Sequence, residues 1–173
     1  MTLEKDIEHL AKKLYFLADK EIPAAHASAI NKVTAKAKTR IVKGVAKSNN
    51  LPQKEVRKKV FISRASAKKI KSSITHYRNN ISLMSLKAKQ TKKGVRASGK
   101  RNISGAFIAV GKGGKQHVFK RSTSARLPIS RLSVTIKKSV DKIVPLVIER
   151  VVKSDLERIL VSELNYRIGK HTK

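Results

Sequence analysis

The fold is decided by a stretch in the middle of the chain, Ala106-Phe107-Ile108-Ala109-Val110-Gly111-Lys112-Gly113-Gly114-Lys115-Gln116-His117-Val118-Phe119-Lys120. Residues 106–110 are a continuous apolar run, which is typical of a short buried strand. The glycine-rich residues 111–115 are typical of a flexible loop, and residues 116–120 are typical of a strand that pairs back. The sequence therefore predicts an antiparallel hairpin here.

Strand patterns also precede this hairpin. Residues 70–77 and 81–86 alternate imperfectly between apolar and polar side chains, which predicts two half-buried strands. Lys92-Lys93-Gly94 is predicted to be a hairpin turn between strands at residues 86–91 and 95–97. The middle of the chain is therefore predicted to form a small antiparallel sheet.

Helical patterns occupy the N-terminal part of the chain. Five apolar residues recur at alternating spacings of four and three and line one face of a helix: Leu3, Ile7, Leu10, Leu14 and Leu17. Pro23 is predicted to interrupt this helix. A second helix is predicted from Ala24 to about Ala46, and a short third one starts at Leu51-Pro52 and ends near Lys59.

The C-terminal part is predicted to be helical after an extended segment. Pro128 biases Leu127 away from helix, so the chain leaves the sheet in an extended conformation. Apolar residues from Leu132 to Leu164 then follow a helical period. Pro145 removes a backbone donor and is predicted to kink or divide this helix.

These patterns together predict an α+β fold in a single domain of 173 residues. Its predicted parts are an N-terminal helix or arm at residues 1–22, helices at 24–59, the sheet with its basic hairpin at 60–121, and the C-terminal helices at 130–168.

Positive charge is the strongest compositional signal. The net charge is +30, and all eleven Asp and Glu residues lie outside residues 56–140. The densest group of cations is the basic hairpin, which consists of Lys87, Lys89, Lys92, Lys93, Arg96, Lys100 and Arg101. Such a group suits DNA phosphates, an acidic rim on a neighbouring protein, or a solvated loop. No aromatic residue interleaves with it, so any DNA contact is expected to involve phosphates and not stacked bases.

Sequence motifs for catalysis, metals and membranes are not found. The chain has no Cys, and its five His residues show no metal-ligand spacing. The glycine loop at 111–115 lacks the spacing of a phosphate-binding loop and precedes a strand pattern. No nucleophile motif occurs, and the start of the chain lacks the features of a signal peptide. We expect neither an enzyme nor a cofactor, and no membrane partner.

Five pieces of the chain, in order, carry a family resemblance. They are Leu51-Pro52 after a basic amphipathic helix, Ala88–Val95 (A-x-Q-x-x-x-G-V), Ile103–Ala109 (I-x-G-A-F-I-A), Val118–Ile129 (V-F-x-R … R-L-P-I) and Glu163–Arg167 (E-L-x-Y-R). Together they resemble the minor tail protein Z family of long-tailed bacteriophages. The loop at Gly111–Lys115 is shorter than the family's turn, and Ser133-Val134 replaces a common Gly-Pro-Ser.

The resemblance implies a non-enzymatic virion protein that completes the head-proximal end of the tail and helps to join tail to head. It implies assembly in the host cytoplasm, a homo-oligomeric ring, tail terminator and head-completion proteins as partners, and a position near the genome end, where the basic middle of the chain faces either DNA phosphates or acidic neck proteins. The alternative is a cellular protein that binds nucleic acid without sequence preference, of the ribosomal or nucleoid type.

The motif residues are expected to have structural roles. They are Leu51, Pro52, Gly94, Gly105, Phe107, Phe119 and Pro128. Gly94 is expected to supply a positive φ, and Gly105 a bulge or a close backbone approach. Phe107 and Phe119 are expected to anchor the core of the sheet, and Pro128 to direct the exit toward the C-terminal helix.

Overall fold

The structure is a computed structural model that describes residues 3–111 and 113–171. Its helices are α1 (Leu3–Phe16), α2 (Ile22–Ser48), α3 (Gln53–Arg57) and α4 (Lys137–His171), with a π-helical turn at Leu17–Glu21 and a 3-10 turn at Met84–Leu86. Its strands are β1 (Val60–Ser63), β2 (Ser73–His76), β3 (Ile81–Ser82), β4 (Lys89–Thr91), β5 (Gly94–Ala97), β6 (Arg101–Ser104), β7 (Ala106–Val110), β8 (Gln116–Arg121), β9 (Ile129–Arg131) and β10 (Ser133–Val134). This order of helices, strands and helix confirms the predicted α+β class.

In the described part of the chain the strands form four small sheets, where the sequence predicted one. Their orders are β1-β2, β10-β3, β4-β5-β6 and β7-β8-β9. The predicted hairpin of residues 106–120 is confirmed, because β7 and β8 pair antiparallel with Phe107 opposite Phe119.

The chain divides into two compact units, and each contains part of α2 and part of α4. The first, the helical unit, comprises Met1–Thr39, Ile62–Thr75 and Leu146–Lys173. The second, the strand unit, comprises Arg40–Phe61 and His76–Pro145.

The helical unit packs small residues of α2 against larger residues of α4. Ala29, Val33 and Ala37 are spaced four residues apart, lie on one face of α2, and are buried together with Val151 and Ile159 of α4. Alanine at two of these positions lets the two helices approach closely, since helix spacing depends on the side chains at the contact.

The strand unit has a larger core of branched side chains. Val95 of β5 and Val118 of β8 are buried in it, as are Leu86 of the 3-10 turn and Ile136 immediately before α4. Helix α2 contributes the fully buried Ile41. The strand unit therefore buries the inner side of its sheets and leaves their outer side to solvent.

The prediction that Pro23 interrupts the first helical segment was wrong. Helical backbone runs from α1 through the π-helical turn into α2, and the Ile22 N–H donates to the Leu17 carbonyl five residues earlier. The π-helical turn shifts the hydrogen-bond pattern just before Pro23, where a proline N supplies no donor. The break predicted from the proline is therefore a local widening of the helix.

Two predicted boundaries in the strand unit were wrong. Residues 81–86 form β3 followed by the 3-10 turn, and residues 130–134 are extended and not helical. Ser133 and Val134 pair with Ser82 and Ile81, so strand pairing overrides the apolar period that starts at Leu132. Helix α4 begins only at Lys137.

Helix α4 runs through Pro145 without being divided. Pro145 supplies no N–H to the Asp141 carbonyl one turn earlier. Both residues are exposed, so water can satisfy that carbonyl.

Candidate functional site

The basic hairpin is built on the sheet β4-β5-β6. Lys89 of β4 lies opposite Arg96 of β5, and Arg96 lies opposite Asn102 of β6. Residues that lie directly opposite each other share a face of the sheet. The three side chains therefore form one row across the exposed side.

We call this exposed side the polar sheet face, defined by Lys89, Thr91, Gly94, Arg96, Asn102 and Ser104. A depression of about 330 Å³ is lined by five residues of this face, Thr91, Gly94, Arg96, Asn102 and Ser104, together with Lys93, Val95 and Ile103. Lysine, arginine, asparagine and hydroxyl side chains are all hydrogen-bond donors. The face can therefore bind oxyanions such as phosphates and carboxylates.

The remaining predicted site residues lie in turns or on the opposite side of the sheet. Lys92 and Lys93 form the β4–β5 turn, while Lys87 and Lys100 occupy positive-φ positions at φ 56° and 57°. All four side chains are exposed. The turns thus extend the positive surface around the polar sheet face.

Arg101 differs from the other six residues because its guanidinium bonds inside the strand unit. It donates to the carbonyls of Asn50 and Ser98, each at 2.9 Å, and also to the Asn49 carbonyl. Asn49 and Asn50 follow the last residue of α2, where backbone carbonyls lack helical partners. Arg101 therefore holds the chain segment after α2 against the β5–β6 turn.

Gln90 is a structural residue that sequence reasoning missed. Its amide nitrogen donates to the carbonyls of Gly94 at 3.1 Å and Ala106 at 3.4 Å, and its amide oxygen accepts the Ile108 N–H at 2.9 Å. The side chain thus joins the sheet of β4 to the sheet of β7. The signal was present, since Gln90 is the glutamine of the A-x-Q-x-x-x-G-V piece.

The positive charge is concentrated in the strand unit. By sequence this unit has 24 of the 41 Lys and Arg residues and two of the eleven acids, for a net charge of +22 out of +30. Its two acids are already paired, Glu55 with Lys58 at 2.8 Å and Asp141 with Arg78 at 2.9 Å. The cations of the polar sheet face therefore have no carboxylate of this unit left to neutralise them.

Two buried acids of the helical unit form bridges between α2 and α4. Glu163 of α4 is buried and pairs with Lys32 of α2, and Asp155 pairs with Lys36 at 3.5 Å. The hydrogen bond from Lys32 lowers the pKa of Glu163, and a hydrogen bond from Ser28 adds to this effect against the cost of burial. These carboxylates therefore serve packing between α2 and α4.

The glycine positions of the family pieces behave differently from each other. Gly94 has φ +149°, and a Cβ there would lie 2.1 Å from the Ile103 carbonyl oxygen. Gly105 has φ +71° with open space around it, so it is required by its backbone conformation and not by a close approach.

The remaining residues of the family pieces with expected structural roles are two phenylalanines, a leucine and two prolines. Phe107 and Phe119 are half-buried and pair across β7 and β8 with ring centroids 6.1 Å apart, so they are not the core anchors that were expected. Leu51 is buried, Pro52 is the N-cap of α3, and the Leu127-Pro128 peptide bond is cis.

The loop Gly111–Lys115 connects β7 to β8 and is closed by the Gly111 N–H bonding the Lys115 carbonyl at 2.9 Å. A strand follows it, as predicted, and Lys112 lies outside the described residues. Within residues 3–111 and 113–171 there is no group of three or more potential metal ligands. No helix in the described part of the chain is long and apolar enough to cross a membrane.

Fold and site together define a small, strongly basic α+β protein with a polar, cationic sheet face suited to binding anions. Comparison with known families then identifies the chain. The family described as Prophage minor tail protein Z (GPZ) matches residues 3–173, so the chain belongs to that family.

A curated relative has a related name. The chain is 29% identical over 143 residues to the tail completion protein of Escherichia phage N15, and the alignment covers 76% of this chain and 78% of that protein. No solved structure matches the chain.

Proposed function

We propose that this protein is a non-enzymatic structural part of the phage virion that completes the head-proximal end of the tail and helps to join tail to head. Membership of the tail protein family supports the structural role, and the name of the phage N15 relative supports tail completion. The protein assembles in the host cytoplasm with tail terminator and head-completion proteins, and copies of it form a ring.

The observation that carries the proposal is the polar sheet face in a unit of net charge +22. Lys89 and Arg96 lie directly opposite each other, and like charges in that position destabilise an isolated sheet. An anion bound between them removes this repulsion. The end of a packaged genome presents phosphates, which such a surface binds with release of counterions.

The contact is expected to be independent of DNA sequence. The side chains of the polar sheet face include no aromatic ring on which a base can stack. Sheet residues that reach only phosphates position DNA without reading its bases. Two unrelated duplexes of equal length should therefore bind with equal affinity, whereas preferential binding of an acidic neck protein would identify a protein partner instead.

The test is charge reversal in the phage. Replacing Lys89, Lys92, Lys93 and Arg96 with Glu should give defective particles and reduce the infectious titre by at least tenfold. A tenfold loss of affinity in the underlying binding step corresponds to about 1.4 kcal/mol of binding free energy. The matched control reverses four exposed cations outside the strand unit, at Arg64, Lys68, Lys69 and Lys71. A normal titre for the first variant, or the same defect in the control, would refute the proposed surface.

The cellular nucleic-acid binder shares the charge but not the family. Its distinguishing result would be DNA binding by the free monomer with a steep salt dependence and no association with tail proteins. Detection of this protein in purified particles by mass spectrometry excludes that alternative.

A further inference from the structure

Two aromatic side chains of the strand unit lie together and are exposed to solvent. Phe61 of β1 is 49% exposed, and Tyr77, which directly follows β2, is 51% exposed. Their ring centroids are 5.5 Å apart and their ring planes meet at 79°. The Tyr77 N–H donates to the Lys59 carbonyl at 2.9 Å, which holds the two chain segments side by side. We call Phe61 and Tyr77 the ring pair.

The ring pair differs from the second aromatic pair of this unit. Phe107 and Phe119 are half-buried, and the Arg121 guanidinium lies over the Phe107 ring at 5.6 Å. Phe61 and Tyr77 keep about half of their surface in water, although burial of an aromatic ring is favourable. In an edge-to-face pair the partner ring covers one face of one ring and no face of the other. The ring pair therefore offers flat apolar surface to a partner.

The chain segments that carry the two rings are cationic. Residues 54–61 and 76–80 contain five Lys and Arg residues and a single acid. Both acids of the strand unit are already held in ion pairs with other cations, so the exposed Arg57 and the half-exposed Lys59 remain available to an anion. The partner that fits both features combines a flat aromatic group with negative charge.

We infer that the ring pair binds an unpaired base of a DNA strand by stacking, while Arg57 and Lys59 bind the adjoining phosphates. Each nucleotide carries a flat base and a phosphate, and aromatic rings beside cations are the usual means of binding single strands. In a duplex the bases already stack on each other, so this site selects unpaired nucleotides. It accepts any base, because every base has a face on which a ring can stack.

This site goes beyond the proposed role of the polar sheet face and does not depend on it. The polar sheet face presents hydrogen-bond donors to oxyanions, whether the DNA is paired or unpaired. The ring pair adds a preference for single strands and strand ends. An acidic protein segment would supply the negative charge, but its carboxylates offer the rings no flat apolar surface. DNA is therefore the favoured occupant.

The first experiment measures DNA affinity of the full chain by fluorescence anisotropy. The labelled probes are a short oligothymidylate, an abasic strand with the same number of phosphates, and a duplex of equal length. The oligothymidylate should bind about tenfold more tightly than the abasic strand, because stacked bases add to the affinity. Contacts to phosphates alone would give the two strands equal affinity, and that result would refute the inference.

Substitutions of the ring pair test which side chains supply the preference. Phe61→Leu and Tyr77→Leu each remove a ring and keep apolar bulk, so each should lower the oligothymidylate affinity about fivefold and leave the abasic strand and the duplex unaffected. Tyr77→Phe keeps the ring and should bind like the native protein. Tyr166→Leu is the matched control, since Tyr166 is 71% exposed on α4 of the helical unit. Equal losses for all three probes would assign the rings a structural role instead.

A further experiment needs no variant and so does not depend on how well the variants fold. Under illumination, 5-iodouracil in an oligonucleotide forms a covalent bond with an aromatic side chain on which it stacks. Mass spectrometry of the native chain should locate the cross-link at Phe61 or Tyr77. Cross-links confined to Tyr15 and Tyr166, which are more exposed, would contradict the proposed site.

The ring pair and the polar sheet face can fail separately. Charge reversal on the polar sheet face should weaken the oligothymidylate and the abasic strand by the same factor, which leaves the ratio of their affinities unchanged. Loss of the ring pair should instead bring that ratio toward one. If the Leu variants lose an acidic neck protein and keep the oligothymidylate, the occupant is a protein and the inference is wrong.

Discussion

At the scale of single residues, Gly94 connects the family pieces to the geometry of the polar sheet face. Its φ is +149°, and a Cβ at this position would lie only 2.1 Å from the Ile103 carbonyl oxygen, so there is no room for a side chain. Gly94 lies opposite Ser104 of β6, and both residues line the depression together with Arg96. A glycine is therefore required both by the backbone and by the shape of the face.

Replacing Gly94 with Ala should lower the free energy of unfolding by about 1–3 kcal/mol, the cost of a strained backbone position, since the Cβ must displace the β6 backbone. Urea unfolding followed by circular dichroism measures this change. Gly169→Ala is the control, because Gly169 is helical with open space around it and should gain up to about 1 kcal/mol. A Gly94 variant as stable as the native protein would show that β6 yields easily.

Side chains with several partners were the hardest residues to assign from sequence. Arg101 belongs to a run of cations, and nothing in that run distinguishes it from Lys100. The register separates them, because Arg101 lies opposite the buried Ala97 and so faces the inner side of the sheet. The structural role of Arg101 therefore could not be predicted without the pairing register of β6.

At the scale of elements, the sequence predicted what local periodicity controls. The hairpin of β7 and β8, the β4–β5 turn and the extent of α2 follow from alternation, glycine placement and helical spacing. The start of α4 was placed seven residues early, because Ser133-Val134 pairs with β3, about fifty residues away in sequence. A pairing over that distance leaves no local signal.

The N-terminal helix illustrates a different limit. Its apolar stripe predicted the helix correctly, but periodicity cannot say what covers the stripe. In the structure Ile7 and Leu10 remain exposed. Amphipathic helices usually bury such a face within their own chain, whereas these residues of α1 stay exposed.

The bridge between α2 and α4 should make stability depend on pH. The pKa of Glu163 is lowered in the folded protein, mainly by the hydrogen bond from Lys32. Its stabilising effect is therefore complete above the pKa of the unfolded chain and is lost as pH falls through the folded value. The melting temperature should fall between about pH 5 and pH 3.

Glu163→Gln should be less stable at neutral pH and should lose less on acidification. Thermal melts followed by circular dichroism across this range compare the two slopes. Glu149→Gln, at an exposed carboxylate of the same helix that pairs with Lys153 at 2.8 Å, should keep the slope of the native protein. Identical slopes for all three proteins would assign the acid sensitivity to other carboxylates.

At the scale of the whole molecule, a small core has to hold together a large charge of one sign. Repulsion among cations destabilises the compact state, and dissolved salt screens it over about 10 Å at 0.1 M. The strand unit carries +22 of the +30, so its folded state should gain most from added salt. An anionic partner in the particle would act in the same direction and more strongly, because it stays in place.

We propose that the chain nevertheless unfolds as the single domain predicted from its length. Helices α2 and α4 each contribute residues to both units, so neither unit can unfold completely without breaking a helix of the other. Calorimetry of the full chain should give one transition at every salt concentration, with a midpoint that rises as salt is added. Two resolved transitions, of which only one moves with salt, would show instead that the helical unit and the strand unit are separate domains.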